Sequence, residues 1–264
     1  MIKDFIFDGK SAKDDFGLYI VDINNSSDTT SDVSIRNISS FQPANNDRVV
    51  WTSTENGEAL NKKIELVHMV DCEAIELTDD DIDGIARWFS REDGFHKFSW
   101  VTDDNNEYFY NVHINISKIY FGGKIIGLEF NITTDSHYTF KNINETFNVT
   151  SGEIIRLYDY SSRFGIKPMR LEISNISKST FELIHVFNNK EEKTVITSCN
   201  SNEQIIISES KTIYSSDKNH DIADCFNYVF PVISNNINDE KNLYVVNCDC
   251  VITFKYLQRR KVGI

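Results

Sequence analysis

Proline, glycine and positive charge are all in short supply in this chain of 264 residues. It holds three prolines and eleven glycines, and 27 lysines and arginines stand against 40 acids, a net charge of −13. So little glycine and proline excludes collagen-like and low-complexity architectures. The acidic balance excludes a nucleic-acid binder, because phosphate contacts need clustered Lys and Arg. The one basic run, Arg259-Arg260-Lys261, reads as a solvated or partner-facing tail. No stretch approaches the length of a membrane span. The opening Met1-Ile2-Lys3-Asp4-Phe5 lacks the basic start and apolar core of a secretory signal. The five cysteines, Cys72, Cys199, Cys225, Cys248 and Cys250, are odd in number and widely spread. That is a poor disulfide framework and suits a reducing compartment. The expectation is synthesis in a cytoplasm, with any later release by another route such as lysis, and no membrane partner.

What is present is apolar and aromatic. Hydrophobic residues make up 40% and charged ones 25%, with 18 Phe and 11 Tyr, which excludes disorder by composition. The length can bury the core of one large or two modest domains. Asn-Xaa-Ser/Thr triplets begin at Asn115, Asn131, Asn144, Asn148 and Asn175. Without a secretory signal they reflect a chain rich in Asn, Ser and Thr.

Strand signals dominate. Phe5-Ile6-Phe7 runs into the turn pair Asp8-Gly9, and Phe16 to Val21 is a second apolar run. A polar stretch from Asn24 to Asp32 reads as a loop, and Asn61 to Met69 as a strand. One short helix is expected after Thr78-Asp79-Asp80-Asp81, where an N-cap hydroxyl precedes an acid by three residues. Ile82, Ile85, Ala86 and Phe89 then form one apolar stripe, and Gly94 lies past the end. Beyond it come Phe95 to Val101 and the acidic turn Asp103-Asp104-Asn105-Asn106. Val112, Ile114 and Ile116 alternate with polar residues up to Phe121-Gly122-Gly123-Lys124, after which Leu128, Phe130 and Ile132 alternate back: a β-hairpin.

From about residue 136 to 142 the character changes, and the reading divides the chain into domains 1–138 and 139–264. Short strands follow at Phe147–Val149, Ile154-Ile155, Met169–Ile173, Thr180–Phe187, Thr194–Thr197, Ile205–Ile207, Lys211–Tyr214, Val229–Ile233 and Leu243–Phe254. Many short strands between turns point to a β-sandwich.

Motifs for catalysis are sparse. Asp79-Asp80-Asp81-Ile82-Asp83-Gly84 matches the start of a calcium-binding loop, but position 12 falls on Ser90, where a bidentate Glu is required. The capped helix accounts for the same residues. Cys248-Asp249-Cys250 is spaced too closely for the usual zinc or redox pair. In a strand both thiols would face one way, as buried core residues do. The six histidines, His68, His96, His113, His137, His185 and His220, are scattered singly. Neither a nucleophile elbow nor a phosphate loop occurs. Carboxylate pairs such as Glu73 and Glu76 are unavoidable among 40 acids, and their separation is not legible. No cofactor or metal site is expected. A sugar-binding cluster is the one candidate site: Tyr158, Asp159, Tyr160 and Arg163, where a ring face could stack on a pyranose. Ordinary aromatic pairing between strands explains the tyrosines as well.

A family resemblance rests on several pieces in order: Phe5 to Ser11, Asp15 to Ile20, Leu77-Thr78 with the helix Ile82 to Phe89, Phe95 to Phe98, Tyr108 to Ile119, and the hairpin ending Gly127 to Thr134. Over about the first 135 residues the chain resembles the distal tail proteins of siphophages. It departs at Thr54 to Glu58, where many members are Gly-rich, and at Asp135-Ser136-His137, where many carry a Pro. The resemblance implies a mainly β fold, with an N-terminal sandwich or barrel-like ring-forming belt domain carrying one short helix, and a C-terminal galectin-like β-sandwich. It implies a homohexameric ring in the virion at the tail tip or baseplate, a non-enzymatic hub joining the tail tube to a tail-associated hub protein and a receptor-binding, host-adhesion protein. DNA would pass through the ring unbound, since an acidic wall repels it. A carbohydrate-binding protein gripping host saccharide through the C-terminal domain is the alternative, and a wall hydrolase a third reading.

Overall fold

A computed structural model describes residues 2–24, 36–41, 50–56, 60–71, 73–103, 107–162, 164–187, 190–235 and 242–261. Arg163, Cys72, most of the loop expected over 24–32 and the acidic turn from Asp104 to Asn106 lie outside the described residues. The chain divides into two compact units, Met1–Phe140 with Lys261–Ile264, and Lys141–Arg260.

In the first unit the elements run β1 (Ile2–Phe7), β2 (Lys10–Ser11), α1 (Ala12–Phe16), β3 (Leu18–Asn24), β4 (Arg36–Phe41), β5 (Val50–Asn56), β6 (Asn61–Val70), β7 (Glu73–Ala74), α2 (Asp79–Phe89), β8 (His96–Thr102), β9 (Tyr110–Phe121) and β10 (Lys124–Thr134). The main sheet has the order β2-β1-β8-β9-β10-β6-β3, with β7 paired to β6, while β4 and β5 form a separate hairpin. Alternation along β1 sends Phe5 and Phe7 into the core and Ile6 outward. Phe5 meets Phe98 at 5.0 Å and Phe130 at 6.1 Å between ring centroids.

Helix α2 starts as its sequence dictates. Thr78 Oγ1 accepts from Asp81 N at 3.2 Å, and Asp81 returns the bond from Thr78 N at 2.9 Å, so two orphan amides are satisfied. Ile85 and Phe89 are buried, and Phe89 packs on Phe16 (4.9 Å) and Phe130 (5.1 Å). The helix ends at Ser90, four residues before Gly94. The sequence pattern does not predict a second helix, α1, which takes Phe16 from the head of the apolar run Phe16 to Val21. Ser11 caps it, accepting from Asp14 N at 2.8 Å, and Gly17 closes it at φ 64°, so Phe16 ends a helix and the strand begins at Leu18. Between β9 and β10, Gly122 and Gly123 sit at φ 59° and 83° with Phe121 opposite Lys124, the two-residue turn that matches strand twist.

The second unit is a sandwich. Strand β11 (Thr139–Val149) leads into β12 (Ile154–Leu157), β13 (Gly165–Pro168), β14 (Arg170–Ser174), β15 (Phe181–Phe187), β16 (Lys190–Ile196), β17 (Ile205–Ile207), β18 (Ile213–Ser215), β19 (Val232–Asn235), β20 (Asn242–Val246) and β21 (Cys250–Arg260). One sheet runs β11-β21-β14-β17-β18 and the other β12-β20-β15-β16, with β13 and β19 paired as a ribbon. Leu171, Ile173, Ile207 and Phe254 of the first sheet and Leu157, Leu183, Tyr244 and Val246 of the second belong to one buried core. The run expected as one strand from Leu243 to Phe254 is two, because Asn247 bends it. Its side chain accepts from Glu182 N (2.9 Å) and donates to Thr180 O (3.1 Å). Cys248 therefore lies in a bend and only Cys250 in a strand, although both are buried. The fold is mainly β throughout, as expected from the sequence.

Candidate functional site

The chemistry-bearing residues sort into surfaces and interior pairs. Among the described residues no group of three or more His, Cys, Asp or Glu is placed to hold a metal ion. Among the same residues no helix is long and apolar enough to cross a membrane.

Three of the four sugar-site candidates are described, and they do not act alike. Alternation from Leu157 buries Leu157, Asp159 and Ser161 and turns Tyr158 and Tyr160 outward. The two tyrosine rings stack nearly parallel, 5.9 Å apart at 8°. Tyr160 is 63% exposed and Tyr158 37%, and the Tyr158 carbonyl accepts from Tyr256 Oη at 3.0 Å. Asp159 points the other way. Its carboxylate is sealed from solvent; it accepts from Ser161 N (3.1 Å) and Oγ (2.6 Å) through one oxygen and from Lys167 through the other. As placed, it ties β13 to the start of the Tyr segment and offers no oxygen to a ligand.

In the same unit, a groove of about 240 Å³ is lined by Phe164, Ile166, Pro168 and Leu257, with Lys167, Glu209 and Arg259 around them. Ile166 is 67% exposed on the β13–β19 ribbon. This groove and the tyrosine pair place exposed aromatic and apolar side chains on the C-terminal unit's surface.

The first unit has surfaces of its own. Strand β3 ends the main sheet, so among the described residues its outer edge carries unpaired amide and carbonyl groups. Its pairing with β6 shifts register between Ile20 and Asp22, which makes Val21 a bulge; Tyr19 and Val21 are exposed. At the far end of the β9–β10 hairpin, Tyr120 and Phe121 are 63% and 74% exposed. Bulges and short edges are how sheets protect an open strand, and apolar side chains left beside one point to a partner.

Inside the second unit, one interior cluster escaped the sequence reading. His220 Nδ1 meets Glu203 Oε1 at 2.6 Å with both side chains buried, and the imidazole also interacts with Cys225. Residues 203, 220 and 225 have no motif spacing, so only the fold reveals them.

Residues 1–136 match the family described as Phage tail protein N-terminal domain, and residues 138–256 the family described as Phage tail C-terminal domain. No curated protein matches the chain. Among solved structures, it is similar to the crystal structure of the phage SPP1 Dit protein, described as a paradigm of the hub adsorption apparatus in phages infecting Gram-positive bacteria. The two are 12% identical, and the match covers 97% of this chain and 99% of that one with a TM-score of 0.66. At that identity the likeness is one of fold.

Proposed function

The chain belongs to the phage tail protein family in both of its domains, and from that premise we propose that it is the hub of a tail tip, a homohexameric ring joining the tail tube to host-adhesion proteins. A structural role in the virion's tail follows from the family; the ring and its partners are the further step. The observation that carries it is full-length likeness of fold to a protein described as a hub of the adsorption apparatus.

The surfaces support a division of labour. The N-terminal unit is the belt: a head-to-tail ring needs two different complementary patches on each copy, and the unit has an open β3 edge with Tyr19 and Val21 and a separate aromatic hairpin tip. The C-terminal, galectin-like unit carries the tyrosine pair and the Phe164–Ile166 groove outward toward receptor-binding or tail-associated proteins. DNA passes through the channel without specific binding, in keeping with a net charge of −13. The chain is made in the bacterial host cytoplasm, works without a cofactor and catalyses nothing.

The test is solution mass by light scattering with negative-stain images of the same sample, alone and with a tail-tip partner. Six-fold rings support the hub, and Val21→Lys should abolish them while leaving the monomer folded. A chain that stays monomeric with every tail partner sinks it. The exposed, parallel Tyr158–Tyr160 pair favours one addition, saccharide binding on the outer unit. Retention on host polysaccharide that disappears in Tyr160→Ala would support that addition; no retention on any host polysaccharide would remove it.

A further inference from the structure

The Glu203–His220–Cys225 cluster is costly to maintain unless something uses it. Glu203 sits in a turn where its own amide donates to Asn200 O (3.1 Å). Its carboxylate has no exposure to solvent: Oε2 accepts from Asn200 N at 3.0 Å, and Oε1 accepts from both Ser215 Oγ and His220 Nδ1. The imidazole is equally sealed, and its Nε2 is buried without a well-aligned hydrogen bond. A buried carboxylate and imidazole contribute little net stability compared with an apolar pair of the same size. Here burial alone would lower the His220 pKa, but the Glu203 bond and the Cys225 thiol outweigh it, and the ring is held above its ordinary value.

Cys225 is fixed against this ring by backbone. The neighbouring Phe226 bridges Ile196 at the end of β16, and Cys225 O accepts from Thr197 N at 2.9 Å. The Thr197 hydroxyl donates to the same carbonyl at 3.4 Å, and the surrounding Thr197 and Ser198 hydroxyls, with the imidazole after them, outweigh burial and hold the thiol below its usual range. Ser198 reaches it from a left-handed backbone, φ 60°, a conformation that costs a non-glycine residue energy and persists where the surroundings impose it. The neighbouring thiols are different. Cys199 is buried and pushed up to about 11 by that burial, and Cys248 and Cys250 are buried against each other. Cys225 is partly exposed, and of the four described cysteines it alone is both reachable and held below the usual thiol range.

We propose that Cys225, with Glu203 and His220 behind it as positioning residues, is a reactive-thiol site that undergoes exchange with low-molecular-weight disulfides. The thiolate attacks one sulfur of R–S–S–R; the Cys225–S–S–R bond forms, the original S–S bond breaks, and R–S⁻ leaves and takes a proton from water. Cys225 is oxidised to the disulfide level as one R–S group is reduced to thiol, so the step needs no other reactant. Thiolate character and access decide such exchange rates. A reducing cytoplasm keeps the site free, and an oxidising medium outside the cell would cap it. This inference is independent of the hub reading, since it concerns one unit of one chain.

The test is the reaction of the native full-length chain with 5,5′-dithiobis(2-nitrobenzoate) and with glutathione disulfide. Absorbance follows the released thiolate, and peptide mapping locates the label. The expected result is one fast equivalent at pH 7 on Cys225, with a pH midpoint below the ordinary thiol value of about 8.5. Cys225→Ser removes the fast phase. Glu203→Gln moves its midpoint upward and slows it at pH 7 by roughly tenfold per unit moved. Should Glu203→Gln not fold, Ser198→Ala, outside the buried pair, serves the same reading, because its hydroxyl lowers the thiol more than the imidazole does. A midpoint at or above the ordinary value, or a label that appears on Cys225 only after unfolding, overturns the proposal.

Discussion

Gly127→Ala and Gly84→Ala are the same chemical change, and the structure gives them opposite signs. Gly127 lies in β10 directly opposite Val67 of β6, beside the register shift that separates Ile125 from Gly127. A Cβ there would stand 2.3 Å from the Leu66 carbonyl oxygen, where ordinary contact requires more than 3 Å. The oxygen belongs to a backbone pinned between β10 and β3 with Leu66 and Leu128 fully buried, so no flexible side chain can yield. Strand β6 has to retreat, overpacking costs about 1–3 kcal/mol, and a lost ladder hydrogen bond adds about 1 kcal/mol. Gly84 is exposed in the middle of α2 with nothing within 4 Å of the added methyl. There alanine gains about 0.5–1 kcal/mol, because glycine loses more backbone freedom in a helix.

Thermal unfolding by calorimetry reads both. With about 2–4 °C per kcal/mol, the transition of the first unit should fall by roughly 4–16 °C for Gly127→Ala and rise by about 1–4 °C for Gly84→Ala. Because β3 pairs with β6, the first variant should also impair ring assembly at temperatures where it remains folded. A neutral Gly127→Ala, or two shifts of the same sign, would refute the placement of β6 against β10.

Thr78→Ala removes the hydroxyl half of the capping box, leaving Asp81 on the residue 78 amide, and should lower the stability of the first unit by about 1 kcal/mol in urea melts; no change would mean the cap is frayed in solution. Asp159→Ala takes away the sealed carboxylate that Ser161 and Lys167 share, and should cost the second unit about 3 kcal/mol, whereas Tyr160→Ala, mostly exposed, should stay within about 0.5 kcal/mol. Equal losses would show that Asp159 is not the tie described. Burial holds the His185 imidazole below its ordinary pKa against the opposing bond to Asn242 and the nearby Glu192. The folded ring is thus neutral where the unfolded one protonates. The second unit should lose stability as pH falls from about 6.5 toward that lowered value and level off below it. His185→Gln should flatten this acid slope, and an unchanged slope would count against His185 as its source.

How much was legible depends on whether the determining contacts are local. The β9–β10 hairpin was readable because alternation and the Gly122-Gly123 turn lie in one stretch, and α2 because its cap and apolar stripe do. Helix α1 was missed, since five residues give no periodicity and only Ser11 and Gly17 mark it. The break in Leu243–Phe254 was invisible because Asn247 bends the chain through bonds to Glu182 and Thr180, more than 60 residues away. The tyrosine segment was half readable: the sequence placed two rings and an acid together, but which side faced inward depended on Lys167 and Ser161. Glu203, His220 and Cys225 come together only because the β17–β18 hairpin, which pairs Ile205 with Ser215, returns the chain past Glu203 before it reaches Cys225. Ser215 then spans both ends as a second donor to the same carboxylate.

The acidic charge and the proposed ring pull against each other, and that conflict has a measurable consequence. Identical copies of net charge −13 repel when brought edge to edge, so assembly has to be driven by apolar contact. The first unit supplies it: Tyr19, Val21, Val70 and Ile75 are exposed on β3, β6 and the segment after β7, and Phe121 projects from the hairpin tip. Charge repulsion between copies is screened over about 10 Å at 0.1 M salt and about 3 Å at 1 M, while apolar burial is not weakened by salt. Ring formation should therefore strengthen as sodium chloride rises from 0.05 to about 0.5 M, and light scattering should show the monomer converting to the larger species. If salt instead dissolved the rings, ion pairs between copies would be their main support. The exposed edge of β3 would then be a protected strand and not an interface.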